Sequence, residues 1–171
     1  MRLVSMLPLA LVLGLAACGP GKKAAETKPA ETAAAAPEAA APPSPLSEMD
    51  LAAIKATLPP DTTLELLNLD ANGAAKASGE VKGYAAPAYA VLVAPGQTLN
   101  VAFKTTSTNL YMNVVDSADT SGAAVHRGEV DGATANLTPT KPTIYVIQPF
   151  QPRATARRDE AGSFEIEVTR K

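Results

Sequence analysis

Three guanidinium groups, Arg153, Arg157 and Arg158, fall within six residues of a chain whose 15 Lys+Arg stand against 17 Asp+Glu. A guanidinium is planar, permanently charged and able to grip a carboxylate with two parallel hydrogen bonds. Packed this closely, the three repel one another unless acids neutralise them or they await an acidic partner. Asp159 and Glu160 follow directly in the chain and supply the plain structural alternative, a solvated loop of internal ion pairs. The other residues capable of chemistry form no constellation. His126 is the single histidine, beside Arg127 in a predicted strand, where it reads as an exposed strand residue, and nothing places a Ser and an Asp next to it. With one Cys and one His in the whole chain there is no zinc or copper cluster. Asn68-Leu69-Asp70-Ala71-Asn72-Gly73 imitates the first half of an EF-hand loop. Its twelfth position, where calcium needs a bidentate Glu, is Gly79, so the segment reads as a turn. Asp159-Glu160 and Glu165/Glu167 read as loop and strand-face charges, and no glycine-rich phosphate loop is present. The expectation is a non-enzyme with no catalytic residue, no metal site and no cofactor.

The second residue with chemistry is Cys18. It closes the string Leu15-Ala16-Ala17-Cys18 after Arg2 and an apolar run from Leu3 to Leu15. A charged start, a short apolar stretch and small residues before a cut make a secretory signal over residues 1–17. The run is too short to span a bilayer, which takes about 20 apolar residues. Leu-Ala-Ala-Cys resembles the lipobox of bacterial lipoproteins. That resemblance implies cleavage before Cys18 and acylation of it, with the lipid bilayer as a partner. Gly19, rather than Asp, after the cysteine points to the outer membrane, facing the periplasm. Several acyl chains together hold firmly where one is marginal, at roughly 0.8 kcal/mol per buried CH₂.

The rest of the chain must position the arginines. Residues 18–45 are rich in Ala and Pro, with scattered Lys and Glu and almost no large apolar side chain. They cannot offset their ordering entropy and read as a disordered tether. A short helix is expected over 46–60: Ser47 caps it, Leu46 and Leu51 form a hydrophobic staple, and Pro59-Pro60 stop it. Leu51, Ile54 and Leu58 share one face, and so short a helix must dock to persist. Over 61–171 the pattern changes to short β-prone runs with turn punctuation, including Asn72-Gly73 and Asp131-Gly132 as hairpin signals. About eight short strands at this spacing give an all-β antiparallel sandwich. With Cys18 lipidated, no disulfide helps it, and the core rests on aliphatic packing. A formal net charge of -2 offers nothing to nucleic acid. The oligomeric state is not readable.

A wider resemblance covers Ala77 to Thr169. Tyr145, Ile147, Arg153, Ala156, Arg157, Arg158 and Phe164 fall in register with the C-terminal part of the periplasmic inhibitors of g-type lysozyme and their relatives. Ser78-Gly79-Glu80-Val81-Lys82-Gly83-Tyr84, Tyr89, Pro95-Gly96-Gln97 and Asn109-Leu110-Tyr111 look like that family as well. The resemblance implies a small β-sandwich outside the cytoplasm that binds protein and sends loops into a lysozyme cleft. It carries partner binding onto Arg153, Arg157, Arg158 and Tyr145. Where the family has Ser-Gly-x-Tyr, this chain has Pro142-Thr143-Ile144-Tyr145. The alternative is an envelope lipoprotein that inhibits nothing, a structural or glycan- or protein-interaction module. Tyr84, Tyr89 and Tyr111 are expected to pack against the core with their hydroxyls at the surface.

Overall fold

A computed structural model describes residues 48–171. The signal at 1–17, Cys18, the tether at 18–45 and the Ser47 cap all lie outside the described residues. Helix α1 (Glu48–Thr57) is followed by nine strands: β1 (Thr62–Leu66), β2 (Ala74–Lys82), β3 (Ala86–Val93), β4 (Leu99–Thr105), β5 (Tyr111–Asp116), β6 (Ala124–Arg127), β7 (Thr134–Leu137), β8 (Thr143–Phe150) and β9 (Ala161–Arg170). Two single-turn helices interrupt them, α2 (Gly128–Asp131) and α3 (Arg153–Ala156).

The strands form a sandwich of a five-stranded sheet, β1-β3-β8-β5-β6, and a four-stranded sheet, β2-β9-β4-β7. The chain crosses from one sheet to the other at almost every connection, and β5 to β6 is the one hairpin between paired strands among the described residues. The two turn signals therefore act differently from the expectation. Asn72-Gly73 does not fold β1 onto β2, because those strands lie in different sheets. It turns the chain between layers, with Asp70 Oδ1 accepting the Asn72 and Ala74 amides at 2.8 and 2.9 Å. Those two bonds hold the Asp70 carboxyl below its ordinary range. Asp131-Gly132 likewise leads from β6 across to β7. A two-residue turn signal fixes local backbone twist, but which strand becomes the neighbour depends on burial of each face. One pairing is also parallel, β1 with β3, so the sandwich is antiparallel except at that edge.

The central strands are the two that come last, β8 and β9. Each inserts between strands made earlier, β8 between β3 and β5, β9 between β2 and β4. Their sequences differ because their outer faces differ. In β9, Phe164, Ile166 and Val168 point into the core while Glu165 and Glu167 face solvent, the alternation of a sheet with one wet face. In β8, Tyr145 and Ile147 enter the main core, and Val146 and Ile144 pack on the other side under α1. Its near-continuous apolar run follows from being covered on both faces. As expected, α1 docks: Ile54 and Leu58 lie against Leu64, Ala88, Ile144 and Val146 on the outer face of the five-stranded sheet. Phe164 stacks on Phe103 at 5.6 Å and meets the edge of Tyr89 at 6.3 Å, and Tyr111 and Phe150 form a separate pair at 5.9 Å.

Candidate functional site

The arginines lie just past the end of β8. Pro152, with φ -55° and ψ 150°, leaves the strand extended and opens α3. The amides of Thr155 and Ala156 both return to the Pro152 carbonyl at 2.9 Å, and the Arg157 amide reaches the Arg153 carbonyl at 3.0 Å. Thr155 and Ala156 are buried and pin the turn down. Arg153 and Arg157 are exposed, and four-residue spacing puts them on one side of the helical turn. Asp159 ends the turn in the left-handed region, φ 54°, which Asp tolerates better than most residues.

A second turn, between β2 and β3, backs onto this one. The Gly83 amide donates to the Glu160 carbonyl at 3.1 Å, and Gly83 sits at φ 59°. A Cβ there would come within 2.8 Å of the Asp159 carboxylate and 3.3 Å of the Ala156 carbonyl. Glycine is required both by the dihedral and by the closeness of the two turns. The same turn brings Lys82 and Tyr84 to the corner, and Tyr84 is 56% exposed.

The charges at this corner sort themselves unevenly. Arg158 Nε pairs with Glu160. Asp159 pairs with Lys82 at 3.6 Å rather than with an arginine. Both acids that come after the arginines in sequence are thus engaged, and Arg153 and Arg157 have no carboxylate partner among the described residues. Four cations face two carboxylates here, so the corner is locally basic within a near-neutral chain. Exposed cations with free N–H donors on a pinned turn can accept a carboxylate bidentately at little further ordering cost.

Tyr145 does not belong to this corner. It lies in mid-strand, 7% exposed, within the main core. Burial pushes its hydroxyl upward in pKa, with the Asp116 carboxylate adding to the shift. Five residues of extended strand separate it from Phe150, roughly 17 Å. Alternation along β8 turns its ring inward, so the structure does not bring this candidate contact residue together with the arginines. Tyr89 is buried and Tyr111 half-buried, as expected of strand tyrosines, but Tyr84 stands in a turn and is open to solvent. Lys82 and Tyr84 are the corner residues that sequence reasoning did not assign. Their signal was Gly83 between them, a glycine where the chain must turn against another backbone.

His126, expected to be exposed, is instead buried, because it stands opposite the core residue Val114 across the β5–β6 pair, and its Nε2 bonds the Gly132 carbonyl at 2.9 Å. Among the described residues no group of three or more His, Cys, Asp or Glu could hold a metal, and no helix is long and apolar enough to cross a membrane. Gln151, next to the arginine turn, is 8% exposed, and its Oε1 is buried with no hydrogen-bond partner in the protein. An acceptor left in that state costs about 1–3 kcal/mol.

No protein-family model matches the chain, and no curated protein sequence does. Solved structures do. The chain is similar to PliG of Aeromonas hydrophila, described as a periplasmic lysozyme inhibitor of g-type lysozyme. Identity is 26% with a TM-score of 0.57, covering 64% of this chain and 97% of that one. PliG of Salmonella Typhimurium, of the same description, shares the fold at 19% identity and a TM-score of 0.50, covering 64% of this chain and 98% of its own. The family resemblance expected from the sequence is therefore matched at the level of the fold.

Proposed function

We propose that this protein is a lysozyme-inhibitor-like binder whose arginine corner docks into the acidic cleft of a g-type or related lysozyme. The observation that carries the reading is the pair Arg153 and Arg157, exposed on one side of a pinned turn with no carboxylate partner among the described residues. A glycosidase cleft holds catalytic carboxylate by the nature of its reaction. A guanidinium entering it exchanges water for a charge-assisted bidentate pair, and the surrounding basic corner speeds encounter. Arg158, held by Glu160, contributes to the local field rather than to the contact. The similarity to the inhibitor of Aeromonas hydrophila supports the same reading.

In this proposal Cys18 carries the lipid anchor, and residues 18–45 form the tether between the anchor and the sandwich. An anchored inhibitor in the cell envelope, at the outer membrane facing the periplasm, would protect peptidoglycan where it is attacked. The second reading is an anchored interaction module that inhibits nothing, and the replacement of Ser-Gly by Pro142-Thr143 favours it. One assay separates the two. The purified chain is titrated against g-, c- and i-type lysozymes lysing bacterial cell walls. Inhibition of the g-type enzyme is expected, and unchanged lysis at micromolar protein rejects the inhibitor reading.

A further inference from the structure

A small pocket of about 170 Å³ opens beside the arginine corner, where the end of β8 passes the start of β3 and the turn bearing Tyr84. Its chemistry differs from that of the corner. No charged residue lines it. Pro87, Pro149 and Phe150 make apolar walls, Gln148 and Gln151 contribute carboxamides, and Tyr84 stands at the same site with much of its surface in solvent. Gln151 is the buried residue whose Oε1 has no partner within the protein. That oxygen is sealed from solvent and lacks a donor, so a turn of the carboxamide towards the uncharged pocket would let it accept an N–H or O–H from a neutral group.

Size narrows the choice. Pockets for whole small-molecule ligands run at roughly 300–1,000 Å³. This one has space for about five or six waters, so it takes one substituent of a larger molecule. An acetamido group fits those demands: its methyl meets the proline walls, and its N–H donates to a turned Gln151 Oε1. The ring that carries it would lie outside the pocket, where the exposed Tyr84 offers an apolar face. A backbone peptide amide fits less well, because chain continues on both sides of it.

We propose that this pocket is a binding socket for the N-acetyl group of an amino sugar. The proposal stands apart from lysozyme inhibition, since it uses no arginine and needs no protein partner. It is tested by NMR on the full chain, following the Gln148 and Gln151 side-chain amides and the Tyr84 ring. N-acetylglucosamine is titrated alongside glucose, glucosamine and N-methylacetamide. The expected result is a saturable shift of Gln151 and Tyr84 with N-acetylglucosamine and none with glucose or glucosamine. N-methylacetamide should shift Gln151 alone and bind about tenfold more weakly. Tyr84→Ala, at an exposed turn position, should weaken the sugar about tenfold and leave N-methylacetamide unchanged. Gln151→Glu should abolish both, and if that variant does not fold, Tyr84→Ala decides alone. The proposal is overturned by an absent or unsaturable shift, by equal binding of glucosamine, or by shifts confined to other surfaces. Binding of N-methylacetamide without the sugar also overturns it, in favour of a peptide amide.

Discussion

Truncating either free arginine separates binding from stability in a way that few substitutions here can. Arg153 and Arg157 are exposed and make no ion pair among the described residues, so Arg153→Ala or Arg157→Ala breaks no ion pair of the fold. Like charges four apart on a helical turn oppose each other by about 0.2–0.5 kcal/mol. Each variant should therefore be as stable as the parent or melt about 1–2 °C higher. Inhibition should move the other way. Removing one side of a charge pair desolvated in a complex costs about 2–5 kcal/mol. At 1.4 kcal/mol per decade, the inhibition constant rises about 30-fold to a few thousand-fold. Arg158→Ala is the internal control. Its guanidinium is paired with Glu160 at the surface, where such pairs contribute about 0–1 kcal/mol, so inhibition should change less than about fivefold. The assay is cell-wall lysis by a g-type lysozyme at fixed enzyme and graded inhibitor, with thermal denaturation of each variant in parallel. Full inhibition by both Arg153→Ala and Arg157→Ala refutes the arginine mechanism. A large drop in melting temperature refutes the claim that these side chains are structurally idle.

Four further outcomes are expected. Ile166→Ala empties a fully buried position at the centre of β9 and should cost about 2–5 kcal/mol in urea denaturation. Gly83→Ala forces an L side chain into φ 59° and against the Asp159 carboxylate, so it should destabilise by about 1–3 kcal/mol and weaken inhibition together. Tyr145→Phe should leave inhibition unaltered, because the ring lies in the core away from the arginine corner. The fourth concerns acid. Lys104 first and Lys76 second hold the Glu167 carboxyl down to about 2 from 4.5, so the native state favours its charged form. That contribution is fully present above pH 4.5 and fades as pH falls towards 2. Urea midpoints measured across this window should decline, and Glu167→Gln should flatten the decline attributable to this group.

Much of the architecture was legible along the chain. Alternation in Phe164-Glu165-Ile166-Glu167-Val168 is a strand with one wet face, and Leu51, Ile54 and Leu58 ahead of Pro59-Pro60 are a docked helix. Both readings rest on local periodicity, which the backbone imposes on any sequence that adopts those forms. The sandwich of about eight strands came from counting such segments. Pairing did not. Asn72-Gly73 and Asp131-Gly132 looked like hairpins, and the parallel contact of β1 with β3 had no local sign, because a strand's neighbour is chosen by the burial of faces contributed from distant parts of the chain.

The site divides along the same line. By itself the sequence determined that three guanidiniums crowd one short segment with Asp159 and Glu160 directly behind them. Charge density and residue type are properties of the chain alone. Only the tertiary structure decided which arginines are free. Glu160 takes Arg158, but Lys82, arriving from a turn far earlier in the chain, takes Asp159. It also decided that Tyr145 faces inward and Tyr84 outward, and that an uncharged pocket adjoins the basic corner. Each of those outcomes depends on which backbone is packed against which, and at the corner the contact of Gly83 with Asp159 and Glu160 sets the arrangement.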